Sequence, residues 1–200
     1  ASEDAVQQKE IDQFKKYLDL MENETRRTSR IVSNLLAFAR QSKIAPKRLS
    51  VNQLIEKTLF LNSNQLKIGG VKVETILDPS LPDLLGSEDQ LQQVFMNLLS
   101  NAAEAMEPGG GKLTIETKHL LREDKLQINF KDTGPGIPEE DIPKLFEPFF
   151  TTKKKGQGVG LGLSVAYGII REHDGSIYVV SEVGQGTTFQ VRLPLKSAAT

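Results

Sequence analysis

The 200-residue chain contains no cysteine, which excludes disulfide scaffolds, thiolate zinc sites and cysteine nucleophiles. Histidine is almost as scarce. His119 and His173 are too few for a multi-histidine metal centre. No apolar run approaches the ~18–20 residues that a membrane span requires. Neither sign of charge dominates: Lys+Arg 25 against Asp+Glu 26 leaves a net charge of −1, with no general drive toward nucleic acid. What remains is a globular composition, 38% hydrophobic and 26% charged. The length suits one ordinary domain, or a smaller domain with an appendage. Folded compactly, such a chain buries roughly 70% of its unfolded surface, enough for a core without staples.

The first forty-odd residues read as one long helix. Ile11, Phe14, Leu18, Met21, Thr25, Thr28, Val32, Leu35 and Ala39 alternate at spacings of three and four, a heptad seam. Lys15, Lys16, Glu22, Glu24, Arg26, Arg27 and Arg30 lie between them and suit solvent. So narrow a stripe needs partner helices, although packing on its own domain is the simpler alternative. The two threonines should loosen the pairing. The segment from Ile44 to Leu49, with Pro46, reads as a linker. Ser50 with Gln53 forms a capping-box signal for a helix over Val51 to Ile68, which Gly69-Gly70 ends. A strand is expected over Val71 to Leu77. A second capping box, Ser87 with Gln90, should open an apolar helix running to about Met106. Leu113 to Thr117 and Leu126 to Phe130 read as an antiparallel pair. A Gly/Pro/Lys-rich stretch, Asp132 to Gly162, holds one short helix near Glu139 to Lys144. A helix over Leu161 to Glu172 and strands over Ser176 to Ser181 and Thr187 to Leu193 complete the chain. Helices and strands do not alternate strictly, so helices layered on one face of a mixed sheet are expected.

Four patches carry the chemistry. Asn97 and Asn101 stand four apart on the helix after Ser87, so both carboxamides share a face. Neutral oxygens on one face suit a hard cation such as Mg²⁺. A hydrogen-bonded asparagine pair would look the same. Asp132-Thr-Gly134-Pro-Gly136-Ile137 follows a strand. Its carboxylate could accept from an exocyclic amine, and its glycines let backbone approach a flat ring. A plain Asp-Gly turn is the alternative. Phe146, Phe149 and Phe150 could anchor a loop in the core, ahead of Lys153, Lys154 and Lys155. Of these lysines Lys153 is the better candidate for a phosphate contact; the other two fit a solvated run. Finally, Gly158-Val159-Gly160-Leu161-Gly162-Leu163 opens a helix, where successive N–H groups and the helix terminus favour an anion. The GK[ST] ending of a P-loop is missing, and no strand precedes the glycines as a dinucleotide fingerprint requires.

In this order these patches, with the closing Gly186-Thr187-x-Phe189, resemble the conserved boxes of sensor histidine kinases over about residues 50–195. The N-terminal stretch, ending in Asn34-Leu-Leu-Ala-Phe-Ala-Arg40, resembles the second helix of that family's dimerisation and phosphotransfer hairpin. The resemblance implies an α+β fold with helices on one face of a mixed, mostly antiparallel sheet, the Bergerat-type ATP-binding sandwich, preceded by a long N-terminal helix. It divides the chain at residues 1–43, the hairpin helix, and 44–200, the catalytic ATP-binding domain. Asn101 would coordinate Mg²⁺ with Asn97 assisting. Asp132 would bond the adenine amino group, with Gly134, Gly136, Ile137 and Phe146 nearby and Thr187 supporting through water. Lys153 and the backbone of Gly158, Val159, Gly160, Leu161, Gly162 and Leu163 would hold the phosphates, under a mobile lid at 139–160. Asn97 and Lys153 would be the catalytic pair. Superfamily ATP hydrolases carry a glutamate at the position of Asn97, and asparagine cannot be a general base, so transfer is favoured over hydrolysis.

The family's phosphoacceptor histidine should lie on a helix upstream of Ala1. His119 and His173 fit ordinary surface or turn residues instead. The chain is thus expected to be a fragment that binds ATP and releases ADP but lacks its own target. The implied partners are the parent kinase's histidine-bearing hairpin, a response regulator receiver domain and a second copy in the full-length homodimer. The implied location is cytoplasmic, with no nucleic-acid or membrane contact by this fragment. A hydrolase or clamp of the same superfamily, and a non-catalytic module that binds a response regulator, are the competing readings.

Overall fold

The computed structural model describes residues 8–29 other than 9, 19, 23, 26 and 27, together with 46–152 and 160–195. Two units separate, Ala1–Gln41 and Ser42–Thr200. In the first, the described residues form a helix, α1, over 8–29. Ile11, Phe14, Leu18 and Met21, the first half of the heptad seam, are all exposed. Thr25 and Thr28 donate their hydroxyls to the carbonyls of Met21 and Glu24 at 2.7 and 2.8 Å, back-bonding within the helix. Val32, Leu35, Ala39 and the Asn34 to Arg40 run lie outside the described residues.

The second unit is built by strands whose apolar residues recur every second position. In β4 (Gly111–Leu120) Leu113, Ile115 and Thr117 are buried. In β5 (Lys125–Asp132) Leu126, Ile128, Phe130 and Asp132 are buried. In β7 (Gly186–Pro194) Thr187, Phe189, Val191 and Leu193 are buried. That period puts one face of the sheet against helices and the other toward solvent. With β2 (Val71–Ile76) and β6 (Ser176–Glu182) the order is β2-β4-β5-β7-β6, with β2 parallel to β4 and every other pair antiparallel.

Three helices line the inner face. Ser50 opens α2 (Val51–Ile68), its hydroxyl accepting the Gln53 N–H at 3.4 Å, and Gly69 closes it. In α3 (Glu88–Ala105) Leu91, Val94, Phe95, Leu98, Leu99, Ala102 and Ala103 form the buried stripe. Phe95 stacks on Phe130 of β5 with ring centroids 5.6 Å apart. The third helix, α4 (Gly162–Glu172), buries Val165, Ala166, Ile169 and Ile170.

Several expectations need correction. The segment expected as a linker contains a strand, β1 (Lys47–Leu49), paired antiparallel with β3 (Leu84–Gly86); their leucines, Leu49 and Leu84, face each other and are buried. Three-residue strands carry too little periodicity to be read ahead of their partner. The Ser87 hydroxyl does not cap α3. Instead the Ser87 N–H donates to His173 Nε2 at 3.0 Å, while Gln90 Nε2 reaches Glu172 on α4 at 3.0 Å. His173 is therefore no surface residue. It is buried, its Nδ1 lies 2.8 Å from the Ile169 carbonyl, and it ties the end of α4 to the start of α3. His119 sits within β4 rather than in a turn, half-buried, with Nε2 enclosed and unpaired among the described residues. The short helix expected near Glu139 to Lys144 is a single 3₁₀ turn, Ile142–Lys144.

Phe95 is fully buried at the junction of α3 and β5. Phe95→Ala is expected to cost about 3–5 kcal/mol of unfolding free energy. Urea denaturation would show this, and a loss below about 1 kcal/mol would contradict the placement of this ring at the centre of the core.

Candidate nucleotide-binding site

The alternation that buries Leu126, Ile128 and Phe130 also turns Asp132, the last residue of β5, inward. Asp132 is 3% exposed, so ionising its carboxylate requires compensating donors. The Gly134 N–H donates to Oδ1 at 2.8 Å, and the Thr187 N–H donates to the same oxygen at 3.3 Å. Burial pushes the Asp132 pKa above its ordinary value, and these bonds hold it back only in part. The strand register sets the second donor, because Asp132 pairs with Thr187. Gly186 makes the approach possible: its φ is +104°, and a Cβ there would strike the Asp132 carbonyl.

The loop after Asp132 is pinned at both ends. Thr133 donates its N–H to the Lys112 carbonyl at 3.1 Å and accepts the Lys112 N–H on its hydroxyl at 3.0 Å. Gly136, at φ +74°, packs its α-carbon onto the Glu182–Val183 backbone. The Ile137 N–H donates to the Ser181 hydroxyl at 2.8 Å. That hydroxyl is 2.9 Å from Thr187 Oγ1 and 3.0 Å from the Gly186 carbonyl. Sequence reasoning does not find Ser181. Its only signal is its place opposite Thr187 in the β6–β7 register.

On α3, Asn97 and Asn101 are both half-buried on the flank beside the core stripe. Asn97 Nδ2 donates to the Gly162 carbonyl at 2.9 Å, fixing the first residue of α4. The Asn101 carboxamide makes no hydrogen bond within the described residues. So the hydrogen-bonded alternative describes Asn97 but not Asn101. A neutral carboxamide oxygen without a protein partner, one helical turn from a second carboxamide, fits a hard cation. At its far end α3 meets the Asp132 loop, where Gly134 sits against Ala105: a Cβ on this glycine would lie 3.4 Å from the Ala105 Cβ. The two glycine segments thus touch α3 eight residues apart, about 12 Å along its axis.

The N-terminus of α4 has no side-chain cap. Its first N–H groups and its dipole are available to an anion. Leu161 is buried, Gly162 and Leu163 half-buried, and Gly160, at φ +70°, lies against the Phe149–Phe150 backbone, its carbonyl accepting the Phe149 N–H at 3.0 Å. Lys153, Gly158 and Val159 lie outside the described residues.

The phenylalanines do not form the expected core plug. Leu145 is the buried residue of that segment. Phe146 packs on Tyr167 of α4, centroids 5.3 Å apart. Phe149 is 66% exposed and held at φ +69°, a backbone strain on a bulky residue. Turn geometry, rather than hydrophobicity, decides which ring turns inward.

Asn can keep the Oδ1 acceptor of Asp132 while removing a disfavoured charge. The raised pKa means the folded chain takes up this proton before the unfolded chain, whose value stays near 3.8. The ionised group therefore costs stability above its raised pKa, and wild type gains on Asp132→Asn as pH falls toward the ordinary value. At pH 7 the variant is expected to melt no lower than wild type. A drop of several degrees there, measured by calorimetry, would contradict this account.

Comparison with known proteins identifies the family and the fold. Residues 86–197 match the family described as "Histidine kinase-, DNA gyrase B-, and HSP90-like ATPase". Sporulation kinase E of Bacillus subtilis (strain 168) is 37% identical over 183 residues, covering 92% of this chain. The chain spans only 24% of that relative's length. Full-length ShkA in complex with AMPPNP superposes with a TM-score of 0.76 at 25% identity, over 93% of this chain and 40% of that one. Histidine kinase ThkA in complex with the response regulator protein TrrA gives a TM-score of 0.73 at 28% identity, over 94% of this chain and 53% of that one. The chain belongs to the histidine kinase-, DNA gyrase B- and HSP90-like ATPase family, and it carries the ATP-binding catalytic domain of a sensor histidine kinase.

Proposed function

We propose that the chain binds ATP with Mg²⁺ and transfers the γ-phosphoryl group to a histidine outside its own sequence, for relay to a response regulator aspartate. The observation that carries this is the arrangement along α3. A buried acceptor, Asp132, stands at one end, an uncapped helix terminus at the other, and the Asn101 carboxamide between them. Adenine belongs at Asp132, where the carboxylate accepts from the exocyclic amine, with Gly134, Gly136, Ile137 and Thr187 forming the wall. Phosphates belong at the α4 terminus, with Gly158, Val159, Gly160, Leu161, Gly162 and Leu163 supplying backbone and Lys153 a cation. Asn101, assisted by Asn97, would hold Mg²⁺, which supplies charge neutralisation on the transferring phosphoryl group.

Asn97 is a weak base and is already committed to Gly162. No glutamate occupies its position to activate water, which favours transfer over hydrolysis. His173 has both ring nitrogens within hydrogen-bonding distance of backbone atoms, and His119 has Nε2 enclosed, so neither suits a phosphoacceptor. The acceptor is then a hairpin histidine of the parent kinase. The exposed stripe of Ile11, Phe14, Leu18 and Met21 on α1 suits helix pairing in a homodimer. Among the described residues no helix is long and apolar enough to cross a membrane; we place this domain on the cytoplasmic side. The ThkA–TrrA complex supports a receiver domain as partner.

Mg-ATP at about a hundred times its dissociation constant is expected to stabilise the chain by roughly 2.7 kcal/mol. In Asn101→Ala that stabilisation should vanish while the nucleotide-free melting temperature stays near wild type. With labelled ATP and a separate histidine-bearing hairpin from the parent kinase, acid-labile label should appear on the hairpin and not on the chain. Rapid phosphate release without label transfer would favour the hydrolase reading instead.

A further inference from the structure

The five-stranded sheet ends on β2, whose five residues after Val71 are all exposed. Among the described residues no strand pairs with β2 on the side away from β4. The Gly70 carbonyl accepts the Gly111 N–H at 3.3 Å, and the parallel register sets Val71 beside Gly111. Backbone groups alternate in direction along a strand. Lys72, Glu74 and Ile76 therefore bond toward β4, while Val71, Val73 and Thr75 turn their N–H and C=O groups to the open edge. Val73 shares a face with Leu113 and is 39% exposed. On the opposite face Lys72 stands beside Lys112 in the register and makes no ion pair of its own among the described residues. Glu74 meets Lys112 at 2.7 Å and Thr114 at 3.5 Å, both through Oε2, so Oε1 carries neither contact.

We propose that β2 pairs antiparallel with β2 of a second copy of this chain, about a two-fold axis at Val73. Each Val73 then faces its counterpart, and each Val71 faces Thr75 of the second copy, so the outward backbone groups of all three residues find partners. Lys72 faces Glu74 of the second copy, once on each side of the axis. These are the non-hydrogen-bonded positions, where side chains approach most closely. A lysine on an edge ordinarily keeps identical edges apart. Here the acid two residues further on reverses that effect for one register alone. A slip of two residues either way sets Lys72 against Lys72 or Glu74 against Glu74, which is destabilising. Charge and backbone therefore select the same register. Both copies use the same surface, as a two-fold interface requires, and no residue of α1 takes part.

The absence of native cysteine makes disulfide trapping a clean test. Val73→Cys in the full chain puts two thiols on the axis, with α-carbons about 5.5 Å apart, within the span of a disulfide. Mild oxidation should link it into a dimer. Thr75→Cys, displaced from its counterpart by about 13 Å along the strands, should link at less than about a tenth of that rate. Adding Lys72→Glu to Val73→Cys sets like charges opposite each other on both sides of the axis and should slow linking about tenfold. Val73→Cys chains carrying Lys72→Glu, mixed with Val73→Cys chains carrying Glu74→Lys, should link to each other and recover most of the rate, because every acid again faces a lysine. Melting curves of the reduced variants check folding, and the Lys72→Glu comparison carries the test alone if Glu74→Lys does not fold. No dimer from Val73→Cys, equal linking at the two cysteine positions, or a rate indifferent to Lys72→Glu overturns the inference.

Discussion

One buried carboxylate constrains much of the architecture. Asp132 sits on the inward face of β5 because the strand alternates, and the same phase fills the core with Leu126, Ile128 and Phe130. A register slip of one residue would turn the carboxylate to solvent and the core residues with it. Keeping the charge inside requires the N–H groups of Gly134 and Thr187. Thr187 can donate only because β7 pairs with β5 in this register and Gly186 adopts a left-handed conformation beside the Asp132 carbonyl. The Ser181 hydroxyl then joins β6, β7 and the loop through Ile137 and Thr187. Proposed function and fold are linked at this point: the residue we propose as the adenine acceptor is one whose ionisation burial disfavours.

The α3 helix divides its labour between two flanks. One side buries an unbroken stripe from Leu91 to Ala103 against the sheet. The adjoining flank carries carboxamides whose roles differ. Asn97 holds α4 in place, so that an uncapped helix terminus points into the site, whereas Asn101 is left without a protein partner among the described residues. His173 performs the matching task at the other end of α4, joining it to the first residues of α3. Both ends of α4 are therefore fixed to α3 by polar contacts, through Asn97 at the start and through His173 and Glu172 at the end. Rigid placement of a helix terminus makes its dipole useful to a phosphate.

Much of this is legible in the sequence, and the reasons differ by element. The five-stranded sheet and the helices α2, α3 and α4 announce themselves by period, and Ser50 and Gly69-Gly70 mark the ends of α2 as expected. Asp132, Gly134, Gly136, Asn97, Asn101 and Thr187 are readable because their residue types and order are distinctive. The β1–β3 pair is not, since three residues give no period and the paired Leu49 and Leu84 lie far apart along the chain. Ser181 is invisible because a serine in a strand becomes significant only through its cross-strand neighbour. The Ser87 signal misleads, because the histidine that takes its backbone N–H lies 86 residues away. Among the phenylalanines, composition suggests a plug, yet a left-handed backbone at Phe149 turns that ring outward.

The most direct measurement is amide NMR of the labelled chain titrated with Mg²⁺ and a non-hydrolysable ATP analogue. The account predicts saturable shifts at Gly134 and Thr187, beside the buried carboxylate, and at Gly162 and Leu163, at the start of α4, with the solvent face of the sheet unaffected. Shifts confined to that outer face, or none at saturating analogue, would contradict it.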